Sequence, residues 1–443
     1  MIRIVASLAV LALLTACPKK TTIPDAGTEE DAGVDAGVDA GWPRGDDPPT
    51  GWSVIEELPT GAMLKTRLGV SVSSAPDQHG HPLVAYLEDD PNGDDFRQDT
   101  RLFFTRWNGS VPEWTNPKQV EVVGEIDVGN PHRQVSVARD ATTGRIGIAY
   151  VRFTDNVVRY AWSDDDGANF SLQSVSPVGG ASAVSNPSLV MHGGLTELAY
   201  VQGNELVFRR RATDGASWTE EKAPGAMALQ DPVSVAVDSD GLPAVAFFQD
   251  RLGGLAELVY WRPGAGSVSP IATSGAVDVS QQDRRPSVSL VFVGNVPHVA
   301  FHLRNVEPAM MNDQTPELFY AKATDGLGVT WSTPVAMPRN GNGVTFHSTR
   351  YYQALTAEAS GRTRVSGNFA ANGALIMCGG PKLAKSDDGV TFTTCAPTGS
   401  PVQFGGEWLS MWQHAPGKLT LIFHYDNRAN ANLKPGVVMW REP

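Results

Sequence analysis

Residues Ser163 to Phe170 read SDDDGANF, three consecutive aspartates, then a glycine, then an aromatic three residues on. An EF-hand-type calcium loop with its glycine at Gly167 would need oxygen ligands at Trp162, Asp164 and Asp166 and a glutamate at Gln173. Trp162 and Gln173 cannot serve. The stretch reads instead as a turn. A carboxylate caps backbone N–H groups, the glycine permits positive φ, and the aromatic anchors the next strand. The flanks agree, with the strand-like run VVRYAWS before it and SLQS after it.

The same arrangement recurs. Downstream of Trp52 a unit repeats with a period of roughly 55 residues, in the range of propeller and array repeats. Each unit opens with a strand of polar start (HRQVSVARD, NPSLVMHG, DPVSVAVDSD, RPSVSLVFVG). A tight turn leads to a small, apolar second strand (PLVAYLED, IGIAYVRF, PAVAFFQD, LTLIFHYD) and an aromatic, basic third strand (RLFFTRW, ELVYWRP, ELFYAKA). A glycine turn and an aromatic then begin a fourth. Units start near Arg67, Arg133, Asn186, Asp231, Arg285, Arg350 and Glu407. The last runs out after three strands, and GWSVIEEL, from Gly51, can supply the fourth and remove an exposed edge. With 45 Gly and 31 Pro and no long helical periodicity, the chain reads as all-β. The expected architecture is a seven-bladed β-propeller of four-stranded blades closed by an N-terminal strand. Six blades with an appended hairpin is the alternative.

Ser163, Asp165, Gly167 and Phe170 fit Ser-x-Asp-x-Gly-x-x-aromatic, which resembles the Asp-box (BNR repeat) of sialidase-like propellers. Weaker copies follow: KSDDGVTF with Asp387, Gly389 and Phe392, RATDGASW with Gly215 and Trp218, and ATDGLGVTW with Asp325 and Trp331. The resemblance covers residues 52–443. It implies that these turns are structural and lie opposite the binding face. It also implies a possible site. Sialidases hold a carboxylate with three arginines and use a tyrosine nucleophile and an aspartate acid. Arg67, Arg285 and Arg350 could form the triad, Tyr351 or Tyr352 the nucleophile, and Asp89 or Asp90 the acid. The planar guanidinium fork suits a carboxylate. Arg67-Leu68-Gly69 departs from the family's Arg-Ile-Pro. The bland alternative is that the ring Arg67, Arg133, Asp231, Arg285 and Arg350 is paired within the channel.

The leader MIRIVASLAVLALLTAC has Arg3, an apolar run from Ile4 to Leu14, and Leu14-Thr15-Ala16-Cys17. That run is short of the roughly 20 residues needed to span a bilayer. It resembles a bacterial lipobox, which makes Cys17 the lipidation site and Pro18 consistent with the outer membrane or cell surface of a Gram-negative bacterium. An ordinary export leader with an incidental cysteine is the alternative. Residues 1–16 are therefore read as signal peptide. Residues 17–50, with Asp-Ala-Gly four times over, are an acidic disordered tether spanning a mean of about 30 Å. Residues 51–443 form the propeller.

The two remaining cysteines, Cys378 and Cys395, flank the blade-6 copy symmetrically. In an exported chain they suggest a disulfide across that hairpin. The net charge of −13 argues against nucleic acid. No metal or other cofactor is expected, since His79 and His81 stand without further ligands nearby, and the chain is expected to be a monomer. The longest second-to-third loops fall in blades 5, 6, 7 and 1, consecutive around a ring, and long loops on a rigid scaffold are where binding resides. The leading expectation is a surface recognition module for glycan or protein. A sialidase-like exo-glycoside hydrolase is the alternative, and a purely structural surface protein the third reading.

Overall fold

The computed structural model describes residues 47–48, 50–57, 68–89, 100–109, 114–124, 135–176, 184–212, 214–215, 217–229, 232–251, 255–276, 287–304, 316–337, 354–368, 381–395, 407–425 and 436–443. The chain divides into two units, Met1–Arg44 and Gly45–Pro443, and all described residues belong to the second. They form seven antiparallel four-stranded sheets and no helix.

Within blades 1 to 6 the strands pair in chain order, first to fourth. The first strands are Leu68–Pro76, Val135–Arg139, Val184–His192, Ser234–Val237, Val288–Val293 and Ala354–Ala357, and blade 7 begins with Glu407–Ala415. Each first strand contacts that of the next blade, and the last contacts the first, so the ring closes with these strands innermost. This is a seven-bladed β-propeller. Its seam lies in blade 7, where the N-terminal strand Gly51–Glu57 pairs antiparallel with Gly436–Arg441 and becomes the fourth strand. Ile55 enters the apolar layer between blades 7 and 1, beside Tyr86, Ile422 and Met439. Just upstream, Arg441 Nη1 donates to Pro48 O at 2.8 Å, and Asp47 lies 3.5 Å from Arg441 and 3.1 Å from His81 Nε2. Packing onto the propeller therefore begins before residue 51, where the tether was expected to end.

Periodicity explains the core. A blade has neighbours on both faces, so its second strand is buried on both and reads as a continuous apolar run, as buried strands do. In blade 2, Ile146, Ile148 and Tyr150 face Leu83, Phe104 and Val123 of blade 1. Ala149 and Val151 face Leu198 and Tyr200 of blade 3. Every neighbouring pair of blades shares such a layer.

The innermost strand has a second edge with no strand to pair it, and buried N–H groups there need acceptors. Serines of the preceding blade supply them. Val137 N donates to Ser73 Oγ at 3.1 Å, Leu189 N to Ser136 Oγ at 3.0 Å, Val235 N to Ser188 Oγ at 3.0 Å, and Leu290 N to Ser234 Oγ at 3.0 Å. Across the seam Ser74 N donates to Ser410 Oγ at 3.1 Å. These serines occupy one column of the repeat. Blade 6 carries Ala354 in that column, a side chain with no hydroxyl to offer blade 7.

Candidate functional site

Strand order assigns every connection to one of two ends. First-to-second and third-to-fourth turns share one end, here the turn face. Second-to-third and fourth-to-first connections share the other, the loop face.

The turn face is closed by short, self-capped turns. Asp77 Oδ1 accepts from His79 N at 2.7 Å and His81 N at 2.9 Å. Asp140 Oδ1 accepts from Thr142 N at 2.8 Å. Asp238 Oδ1 accepts from Asp240 N at 3.0 Å and Leu242 N at 2.8 Å. Blades also lock to one another here. Asp140 Oδ2 accepts from Gly194 N of blade 3 at 2.9 Å, and Arg262 bridges Asp238 at 2.8 Å and Gly326 O of blade 5 at 3.2 Å.

The aspartate stretch lies on this face. Ser163 Oγ donates to Asp165 Oδ1 at 2.8 Å and accepts from Gly167 N at 2.8 Å. Asp165 accepts from Asn169 N at 2.9 Å and from its side-chain amide at 2.8 Å. These hydrogen bonds, that of the Asn169 side chain first, hold the Asp165 carboxyl below its usual range. Gly167 has φ +86°, and a Cβ there would come within 2.2 Å of the Phe104 ring of blade 1. Phe170 packs edge-on to the same ring at 5.3 Å. Trp218 on Tyr160, Trp331 on Tyr260 and Phe392 on Tyr320 repeat this contact between successive blades.

The KSDDGVTF turn requires a correction. Its capping carboxylate is Asp388, not Asp387. Asp388 Oδ1 accepts from Ser386 Oγ at 2.9 Å, Val390 N at 2.8 Å and Thr391 N at 2.7 Å, bonds that push its carboxyl down to about 2. Asp387 is exposed, 3.5 Å from Arg362. The turn is one residue shorter between serine and glycine than SDDDGANF, so alignment on Gly389 misassigns the aspartate. In blade 5 it is one residue longer: Asp325 caps Leu327, Val329 and Thr330, and Gly328 takes the place of Gly167 beneath Tyr260.

The candidate ring was expected on the loop face. Arg67, Arg133, Asp231, Arg285, Arg350, Tyr351 and Tyr352 each fall shortly before a first strand, and all lie outside the described residues, as does Asp90. Asp89 ends the second strand of blade 1, and its side chain also lies outside the description. So do Cys17 and Cys378. The backbone of Cys395 is described and pairs with Leu383.

What is described at this end is informative. The first strands of blades 1, 3 and 7 bulge near the loop face, between Leu68 and Val72, Ser185 and Ser188, and Glu407 and Ser410. Bulges re-aim the backbone and gather at the rims of sites. Within the blade-3 bulge Asn186 is buried at φ 56°, with its side-chain amide donating to Ser185 Oγ at 3.0 Å. In blade 5 buried Ser287 Oγ lies 3.0 Å from buried His302 Nδ1.

One ionic cluster braces the boundary of blades 1 and 2 toward this face. Glu121 takes the Tyr150 hydroxyl hydrogen bond and faces Arg152 and Arg159, each at 3.1 Å, while Arg152 Nε donates to Asp155 at 2.8 Å. Tyr150 is fully buried. Burial first, then Glu121, pushes its hydroxyl far above the usual phenol range, so it stays a proton donor. Contact with Arg152 holds Asp155 down. Its charged members are partly exposed and already paired with one another. Among the described residues no three His, Cys, Asp or Glu side chains gather to hold a metal. His79 and His81 lie in the first turn of blade 1, His81 between Asp47 and Asp77.

Sequence reasoning missed two sets of residues. The serine column was visible as a recurrent Ser in the first strand. The aspartates opening the first-to-second turns were visible as Asp-x-x-Gly in blades 1 and 4 and Asp-x-x-x-Gly in blade 2.

No known protein family and no curated protein matches the sequence. Solved structures resemble its fold. The BP39L lectin from Burkholderia pseudomallei aligns at 14% identity over 81% of this chain and 94% of that one, with a TM-score of 0.51. The polysaccharide lyase Uly1 aligns at 14% identity over 84% of this chain and 89% of that one, with a TM-score of 0.50. The NanB sialidase of Streptococcus pneumoniae aligns at 10% identity over 88% of this chain and 70% of that one, with a TM-score of 0.46. At such identities the likeness to the first two establishes a shared fold. The chain is thus a β-propeller of an architecture that also occurs in lectins and glycan-cleaving enzymes; fold alone assigns it none of their activities.

Proposed function

We propose that this protein is a lipid-anchored surface recognition module that binds glycan through its loop face. The observation that carries the reading is the asymmetry of the two ends. The turn face spends its polar groups on its own backbone and on neighbouring blades. The opposite end receives the connections 90–99, 305–315, 369–380 and 426–435, from consecutive blades 1, 5, 6 and 7, against 153–156 and 203–204 in blades 2 and 3. Three first strands bulge there. Arg67, Arg133, Arg285 and Arg350 precede first strands, and guanidinium groups select carboxylated sugars by bidentate pairing. Cys17 carries the anchor in this reading, in the outer membrane of a Gram-negative bacterium.

The test is a glycan array probed with the full-length chain, followed by calorimetry on the hits. Carboxylated glycans bind, and Arg350→Ala weakens them at least tenfold without changing the unfolding midpoint. An array without hits overturns the reading. Turnover of a fluorogenic sialoside by the wild-type chain, lost in Arg350→Ala, would replace it with hydrolysis by Arg67, Arg285, Arg350 and a tyrosine at 351 or 352.

A further inference from the structure

Seven large apolar side chains stand exposed among the described residues, and four share one face: Leu242 (54% exposed), Leu327 (69%), Val329 (59%) and Val390 (60%). All four sit in turns of the turn face, in consecutive blades 4, 5 and 6. Their placement is not forced by the turns. The position of Val329 and Val390, just after the turn glycine, is Ala168 in blade 2. In each case the backbone N–H of the valine is the group the turn uses, donating to Asp325 or Asp388. The side chain is left facing outward.

The chain also enters the propeller at this face. The N-terminal strand runs antiparallel to Gly436–Arg441, with Gly51 opposite Arg441 at the turn end. Asp47 and Pro48 are held there by Arg441 and by His81 of the first blade-1 turn. That seam adjoins blade 6, so the apolar arc and the incoming chain occupy neighbouring sectors of one face.

We propose that the turn face rests on the lipid surface that holds the N-terminus, with Leu242, Leu327, Val329 and Val390 in contact with it, so that the loop face points away from the membrane. The proposal rests on the anchoring at Cys17 read above. A tether of some 30 residues permits any orientation, and apolar contact at one face biases it because burying those side chains removes apolar surface from water. The partner surface is zwitterionic. Asp165, Asp325 and Asp388 lie on the same face with carboxyls held low by their turn hydrogen bonds, and anionic headgroups would be repelled.

The experiment uses the full-length lipidated chain with phosphatidylethanolamine–phosphatidylcholine vesicles. Flotation reports attachment, and amide hydrogen exchange with and without vesicles reports the face. The expected result is flotation, severalfold slower exchange at amides 240–242, 326–330 and 389–391, and unchanged exchange at 153–156 and 203–204. The triple variant Leu327→Ser, Val329→Ser, Val390→Ser, substituted only at exposed positions, should still float and lose the protection. A chain that floats with unchanged turn-face exchange overturns the orientation and leaves the anchor standing. A chain that does not float overturns both. Concentration-dependent protection without vesicles assigns the face to a second copy of the chain and also overturns the proposal.

Discussion

Ser136→Ala tests the hydrogen-bonded ring at the centre of the propeller. Ser136 and its donor, Leu189, are both buried, and the Leu189 N–H to Ser136 Oγ distance is 3.0 Å. Alanine keeps the Cβ and opens almost no cavity, so the substitution isolates the loss of the acceptor. Leu189 N–H lies on the edge of its strand that faces no partner strand, and blade 2 offers no other hydroxyl in that column. A buried donor left unsatisfied costs about 1–3 kcal/mol. The assay is equilibrium urea unfolding followed by tryptophan fluorescence, with stability read from the displacement of the midpoint at unchanged slope. Ser289→Ala is the control: Ser289 stands in the same column, but among the described residues no blade-6 group bonds to it. A loss at Ser136 below about 0.5 kcal/mol, the range of ordinary surface substitutions, would refute the claim that these serines staple successive blades.

Three further outcomes follow from the same geometry. Gly167→Ala should destabilise by roughly 2 kcal/mol or more in the same urea assay, because a Cβ meets the Phe104 ring at 2.2 Å and φ is +86°. Ala354→Ser should stabilise by about 0.5–1 kcal/mol, the net worth of one added hydrogen bond, by offering blade 7 the acceptor that blade 6 lacks; an unchanged or lower midpoint would count against it. His298, pushed down to about 4 by burial and then by Lys322, is neutral in the fold and 2.6 Å from the Tyr320 hydroxyl. Its ordinary value is near 6.5, so between pH 6.5 and 4 the unfolded chain binds a proton that the folded chain does not. Stability therefore falls as pH falls through that window, and His298→Asn should reduce the dependence of the urea midpoint between pH 7 and 4.5 without abolishing it, since burial holds His414 at about 4 as well.

Much of the fold was legible because blades repeat. Each second strand is apolar on both faces wherever blades flank it, and the third-to-fourth turns of blades 1, 2, 3, 5 and 6 carry a glycine and an aromatic. The seam was legible because blade 7 lacks a fourth strand and GWSVIEEL stands unclaimed at the other end. The assignment of Asp387 failed for a local reason. A one-residue difference in turn length is invisible to an alignment on glycine, and only hydrogen-bond geometry selects Asp388. The candidate ring was legible only as chain positions before the first strands, and strand pairing does not dictate where side chains at such positions point.

The sequence by itself determined the all-β class, the repeating four-stranded unit and the end of the propeller at which each connection lies, since period-two burial and antiparallel pairing in chain order are local rules; it left six or seven blades open, and strand pairing decided seven. Tertiary structure alone decided what crosses between blades. The serine that caps Leu189 is Ser136, and the ring that forbids a side chain at Gly167 is Phe104. The turns that gather Leu242, Leu327 and Val390 on one face belong to three different blades. Such partners lie about one repeat or more apart along the chain, and they meet only because closing the ring brings each blade against the next.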